Sequence, residues 1–194
     1  MTEKIQLIVG LGNPGQDYAR TRHNAGALFV DELARTYNAH WQEDKKFFGL
    51  TCIITIENMP VRLLLPLTYM NRSGQSVSAI ANFYKILPDN ILIAHDELDL
   101  APGIARFKNG GGHGGHNGLR DIISTLGNQA HFQRLRIGIG HPGEAKQVVN
   151  YVLKKAPDSE YALMENSITR AIQVLPDFVK GNKDQAMKWL HTPL

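Results

Sequence analysis

The chain has 194 residues, 43% hydrophobic and 20% charged, with a formal charge of +3; that fits one soluble domain with a continuous core, and the basic excess suits an anionic partner without requiring one. A single cysteine, Cys52, excludes an intrachain disulfide, and no stretch approaches the roughly 20 apolar residues of a membrane span. Met1-Thr-Glu-Lys leads into a strand-like run rather than a signal-peptide segment, so the cytoplasm is the expected compartment.

Lys4-Ile-Gln-Leu-Ile-Val9 is short and β-branched, and reads as a buried strand entering the tight loop Gly10-Leu-Gly-Asn-Pro-Gly15. Phe29, Val30, Leu33 and Ala34 follow at helical spacing. Residues 50–56 and 61–65 read as a strand pair turning at Asn58-Met-Pro60, with Cys52 an inert core thiol on the first strand. Val77, Ile80, Ala81 and Tyr84 mark a second helix, and Asn90-Ile-Leu-Ile-Ala-His95 a central strand that delivers His95, Asp96 and Glu97 at its end.

Beyond it come a basic strand, Ile104-Ala-Arg-Phe-Lys108, and the glycine loop 110–118. A helix using Leu119, Ile122, Ile123 and Leu126 follows, then the strand Arg134-Leu-Arg-Ile-Gly-Ile139. Tyr161, Met164, Ile168, Ile172 and Leu175 predict a long C-terminal helix. With no repeat, low-complexity tract or linker, the expected architecture is α/β: a single domain over 1–194, a twisted mixed β-sheet flanked by helices in three α/β/α layers, and a C-terminal helical segment at about 158–190.

Gly10-Leu-Gly12-Asn-Pro-Gly15 matches the dinucleotide fingerprint directly after a strand, but its context fails. The fingerprint needs an acidic residue roughly 20 positions on, at the end of a second strand, whereas Asp31 and Glu32 lie in a helical pattern and the next strand ends near Glu57. Asn13 before Pro14 is biased away from helical geometry, leaving its carboxamide free to project as a paired donor and acceptor. Read alone, Asn13-Pro-Gly15 is only a turn.

Polar groups with catalytic potential gather at strand ends and loops: Asn13, His23-Asn24, Asn71 within Thr68-Tyr-Met-Asn-Arg-Ser-Gly74, His95-Asp-Glu97 and His116-Asn117. Ester hydrolysis at neutral pH needs a base titrating near 7, which a histidine fixed by a carboxylate supplies, and neutral donors for the developing oxyanion, which carboxamides supply. A serine or cysteine nucleophile has little support, since there is no G-x-S-x-G and the cysteine sits in an apolar strand. Each residue also has a structural reading: His23 bracing a helix start, Asp96 ending a strand, Asn117 starting a helix. Spacing alone does not bring His23 to Asp96. The rival chemistry is a metal site on His95, Asp96, Glu97 and Asp99, or on His113 and His116 in the glycine run. A Walker loop is excluded, because the run 110–118 lacks Gly-Lys-Ser/Thr.

At these residues the sequence resembles the bacterial peptidyl-tRNA hydrolase family over nearly its whole length. The resemblance is carried by Gly10–Gly15 with Thr21-Arg-His-Asn-Ala-Gly26, Thr68–Gly74, His95-Asp-Glu-Leu-Asp-Leu100, Gly110–Gly118 and Phe132-Gln-Arg-Leu-Arg-Ile-Gly-Ile-Gly140. One departure is Leu65 before Pro66, where the family usually has lysine. The resemblance implies water-mediated ester cleavage without cofactor or metal, with His23 as general base and Asp96 orienting it. Asn13, Asn71 and Asn117 would hold the peptide carbonyl, the ester and the water, and His116 would line the crevice. Tyr18 and Tyr69 would lie near the terminal nucleotide, and Lys108 and Arg136 would clamp phosphate, with Arg106, Arg134 and Lys146 widening the basic face. Tyr69 and Met70 also read as core residues, and Met70 is expected as a pocket wall. The implied partner is peptidyl-tRNA, held at its 3′ end and acceptor stem by a monomer. Two other readings stay open: an RNA-binding module on the same scaffold without activity, and a metal-dependent nuclease using the acids at 96–99.

Overall fold

The structure is a computed structural model describing residues 4–192; the N-terminal reading that begins at Met1 falls partly outside the described residues. Seven strands form one mixed sheet: Leu7–Gly10 (β1), Gln42–Asp44 (β2), Gly49–Ile56 (β3), Met59–Pro66 (β4), Ile91–Glu97 (β5), Ala105–Asn109 (β6) and Gln133–Gly138 (β7), in the order β2-β3-β4-β1-β5-β7-β6. The four inner strands β4, β1, β5 and β7 run parallel, and antiparallel partners close both sides.

The expected three layers are present. On one face pack the helices Ala25–Thr36 (α1), Asp158–Val179 (α5) and Lys183–His191 (α6); on the other lie Ser73–Tyr84 (α2) and Asn117–Thr125 (α3). A short helix, Val148–Val152 (α4), precedes α5. β5 shows why a near-continuous apolar run belongs in the middle. Leu92 and Ala94 join the core under α1 and α5, while Ile91 and Ile93 join the core under α2 and α3. Among the described residues, no helix is long and apolar enough to cross a membrane.

The hairpin turn differs from its expected place. Glu57 (φ 50°) and Asn58 (φ 62°) make the turn, while Met59 and Pro60 are already paired with Ile56 and Thr55 in the β3–β4 ladder. A two-residue hairpin turn needs left-handed backbone at both positions, which proline cannot adopt. Pro60 is tolerated because β1 pairs with β4 only from Arg62 onward, so its missing N–H breaks no bond on that side. Cys52 is half-buried at the margin of the core rather than inside it, and desolvation pushes its thiol up to about 11, which keeps it protonated.

One close approach positions the functional site. A Cβ on Gly26, in the first turn of α1, would lie 2.1 Å from the Ala94 carbonyl oxygen and 2.7 Å from the Leu11 nitrogen. The helix therefore sits directly on β1 and β5, and carries the 3-10 turn Arg22–Asn24 to the end of β5. Gly26→Ala is expected to destabilise the fold by roughly 2–3 kcal/mol, since rigid backbone opposes the new methyl; denaturant unfolding checks this.

Candidate active site

In a parallel sheet the loops after neighbouring strands diverge where the strand order reverses, opening a crevice at their carboxyl ends. Here β4 and β5 flank β1, and beyond β1 and β5 lies a crevice of about 620 Å³. Asn13, His23, Tyr69, Met70, Asn71, Asp96, His116 and Asn117 line it, as do Lys108 and Arg136. The structure thus gathers residues from Asn13 to Arg136, drawn from well-separated parts of the chain.

Asp96 is the centre. Its side chain is 3% exposed and accepts from two imidazoles: Oδ2 is 2.9 Å and Oδ1 3.1 Å from His23 Nδ1, and Oδ1 is 2.7 Å from His116 Nε2. The other nitrogen of His116, Nδ1, accepts the Gly118 and Leu119 amides at 3.1 and 3.3 Å, so His116 is the N-cap of α3. That cap fixes its tautomer: Nδ1 is bare and Nε2 carries the proton given to Asp96. Asn117 starts the helix as expected, exposed at its first position with Oδ1 accepting from Arg120, while the capping side chain is that of the preceding His116.

Both ring nitrogens of His116 are therefore committed, whereas His23 spends only Nδ1, and its Nε2 has no hydrogen-bond partner among the described residues. Burial by itself would lower the His23 pKa, but the charge and hydrogen bond of Asp96 outweigh it and hold the value above 6.5. Burial likewise opposes ionisation of Asp96, yet the two facing imidazoles bring its carboxyl well below the usual range. His95 is different. Fully buried, beside His116 and Arg134, it is held down to about 3 and stays neutral, with Nδ1 on the Asp96 carbonyl and Nε2 unpartnered.

Asn13 is less free than its place before proline suggests. Its Oδ1 accepts the Met70 amide at 2.7 Å, so only the carboxamide NH₂ remains uncommitted. Asn24 holds the loop from below, accepting the Asn13 amide at 2.8 Å and donating to the Asn13 carbonyl at 2.9 Å. Met70 is buried against the crevice as a wall, and Asn71 is exposed next to it on the same 3-10 turn, Met70–Arg72. A buried base–carboxylate pair with neutral donors around it can activate water and receive an oxyanion.

The profile of the family described as peptidyl-tRNA hydrolase matches residues 7–193. The chain belongs to the peptidyl-tRNA hydrolase family. It is 61% identical over 188 residues to a peptidyl-tRNA hydrolase of Pseudomonas putida, covering 97% of each. It is 59% identical to that of Teredinibacter turnerae, over 99% of this chain and all of the other. The crystal structure of the Acinetobacter baumannii enzyme superposes with a TM-score of 0.95 at 53% identity, over 99% of this chain and 97% of that one.

In this family member the basic residues divide into free and committed groups. Pairing of β6 with β7 sets Arg106 opposite Arg136 and Lys108 opposite Arg134, placing four cations on one face of the sheet. Arg134 does not widen the exposed basic face. It is buried, and its guanidinium donates to the carbonyls of Gly111, Gly112 and Ala130, bracing the glycine loop. Arg136 is partly covered and donates from Nε to Glu97 at 2.8 Å, whereas Lys108 and Arg106 are exposed. Lys146 lies outside the crevice lining and pairs with Glu144. Tyr69 is exposed at the crevice, and Tyr18 meets it edge-on at 6.4 Å.

The metal rivals do not assemble as expected. The His113 ring accepts from the Gly115 amide, and the Glu97 carboxylate is on Arg136. The one potential metal-binding group among the described residues is His23, Asp96 and His116, with ligand atoms within 4.8 Å of one another. Those same atoms are already joined by imidazole–carboxylate hydrogen bonds, which an ion would have to displace. Asn24 groups with His23 in the sequence, whereas Arg22, inside the same motif, and α4 are not singled out there, because their roles are contacts made with distant parts of the chain.

Proposed function

We infer that this chain hydrolyses the ester joining a peptide to the ribose of tRNA, with His23 as the base that activates water. The observation that carries this is the Asp96 clamp: Asp96 fixes His23 through Nδ1, and His116 has no nitrogen left for catalysis. Water gives a proton to His23 Nε2 as its oxygen bonds to the ester carbonyl carbon. The tetrahedral adduct then expels the ribose oxygen, which takes that proton back; the products are a free tRNA terminus and a peptide carboxylic acid, which ionises by releasing its proton to solvent.

The Asn13 NH₂ donates to the peptide carbonyl, and Asn71 and Asn117 hold the ester oxygen and the water. A peptide offers an amide beside the ester, whereas a free aminoacyl group brings a cationic amine that the site must desolvate, so Asn13 favours the former. Tyr18 and Tyr69 support the terminal base, and Lys108, Arg136 and Arg106 meet the acceptor-stem phosphates, binding RNA through shape and charge. The enzyme works as a cytoplasmic monomer that recycles tRNA from aborted translation.

The test is hydrolysis of an N-blocked aminoacyl-tRNA and its unblocked counterpart, with chelator present. Release from the blocked substrate is expected. No release would leave an RNA-binding module. The chelator is expected to leave the rate unchanged within about twofold, and a larger loss would assign the His23–Asp96–His116 group to a metal. Joint replacement of Lys108 and Arg136 by alanine is expected to raise KM with kcat nearly unchanged, and to reduce the slope of log affinity against log salt by about 1–2. A salt titration of binding measures it.

A further inference from the structure

We propose that Arg22 is a positioning residue for His23, locking the turn that bears the base to α4, the helical wall of the crevice. The proposal rests on His23 being the base.

Arg22 directly precedes His23, and its side chain is 8% exposed. Nη1 donates to the Tyr151 carbonyl at 3.1 Å, and Nη2 to Glu160 Oε2 at 3.2 Å. The guanidinium also lies over the Tyr151 ring, 3.9 Å from its centroid. Tyr151 is itself anchored, its hydroxyl donating 2.6 Å to the Ile139 carbonyl just beyond β7. A continuous path thus runs from the end of β7 through Tyr151 and Arg22 to the backbone of His23. On the crevice side, the same helix presents Val148, Val149 and Val152.

Burying a guanidinium is unfavourable, the more so here because Arg22 Nε is buried without a partner among the described residues, and holding a turn by packing alone would not call for one. What the planar fork adds is direction: a carbonyl, a carboxylate and a ring face fix its plane, and hence the orientation of the next residue. The turn has separate backbone supports, since the Arg22 amide donates to the Lys154 carbonyl and Thr21 bridges Lys155. Losing the side-chain link therefore leaves the turn in place but free to rock.

Arg22→Met, Arg22→Lys and Glu160→Ala would be compared with wild type and His23→Ala in four measurements: kcat, KM, melting temperature and His23 titration by imidazole NMR. Arg22→Met is expected to lower kcat about 10- to 100-fold, with KM within about threefold, as slight misplacement of a base does. Its His23 titration should move down toward 6.5 as contact with Asp96 loosens. Arg22→Lys should recover part of both, and Glu160→Ala should lose activity in the same sense but less. If Arg22→Met lowers the melting temperature while kcat and the His23 titration stay at wild-type values, Arg22 is purely structural and the proposal fails. It fails equally if activity falls with the titration unmoved. Should Arg22→Met not fold, Arg22→Lys and Glu160→Ala decide, and wild-type behaviour in both overturns it. Full activity in His23→Ala would instead overturn the base assignment beneath it.

Discussion

His23→Ala is expected to lower kcat on N-blocked aminoacyl-tRNA by about 10²- to 10⁴-fold, the range typical of a lost general base, with little change in KM. The fold should survive, because the side chain lies at the crevice and Asp96 keeps its bond to His116. The pH profile makes the assignment specific. The working form is neutral His23, whose pKa Asp96 holds above 6.5. Wild-type kcat/KM should therefore fall as pH drops through that raised value, with a slope of one proton, while Asp96 stays ionised throughout. A variant that keeps the same limb at reduced rate would move the base elsewhere.

Asp96→Asn has the second largest expected effect, about 10²- to 10⁴-fold in kcat, for a reason rooted in hydrogen-bond direction. The carboxylate accepts from both His23 and His116, and His116 cannot turn round because its Nδ1 is held by two backbone amides. An asparagine oxygen can serve His116, but its NH₂ then faces His23 Nδ1. That favours the His23 tautomer with its proton on Nε2, which cannot accept one from water. With the charge gone, the His23 pKa should also fall, so the acidic limb of the surviving activity should move to lower pH. Wild-type turnover with an unmoved limb would remove Asp96 from the mechanism.

The alternation and continuity of apolar residues marked β1, β5, β7, α1 and α2 to within a few residues, because burial on one or both faces imposes a period on the sequence. The motifs around Asn13, His23, Asn71, Asp96 and Asn117 were legible as polar clusters at loops and strand ends, their expected roles came from the family resemblance, and the structure brings all five to one crevice. The hairpin at Glu57-Asn58 was misplaced, since proline and methionine beside asparagine resemble a turn until the register with β3 is known. β2, three residues long at the sheet edge, has too few positions to show a period.

Arg134 shows the limit most clearly. On a strand beside lysine and arginine it looks like part of a phosphate site, yet it is consumed by carbonyls of the glycine loop. Which cation is free depends on backbone groups more than 20 positions away, from Gly111 to Arg134, and no local pattern records that. By itself, then, the sequence determined the layered fold, the chemistry its polar residues can perform and the family they resemble. The tertiary structure alone decided which atoms meet. Asp96 lies between two imidazoles, His116 is held by its helix cap, Asn13 has only its NH₂ left, and Arg22 reaches across to α4, because hydrogen bonds commit individual atoms across the chain and only folded geometry fixes their partners.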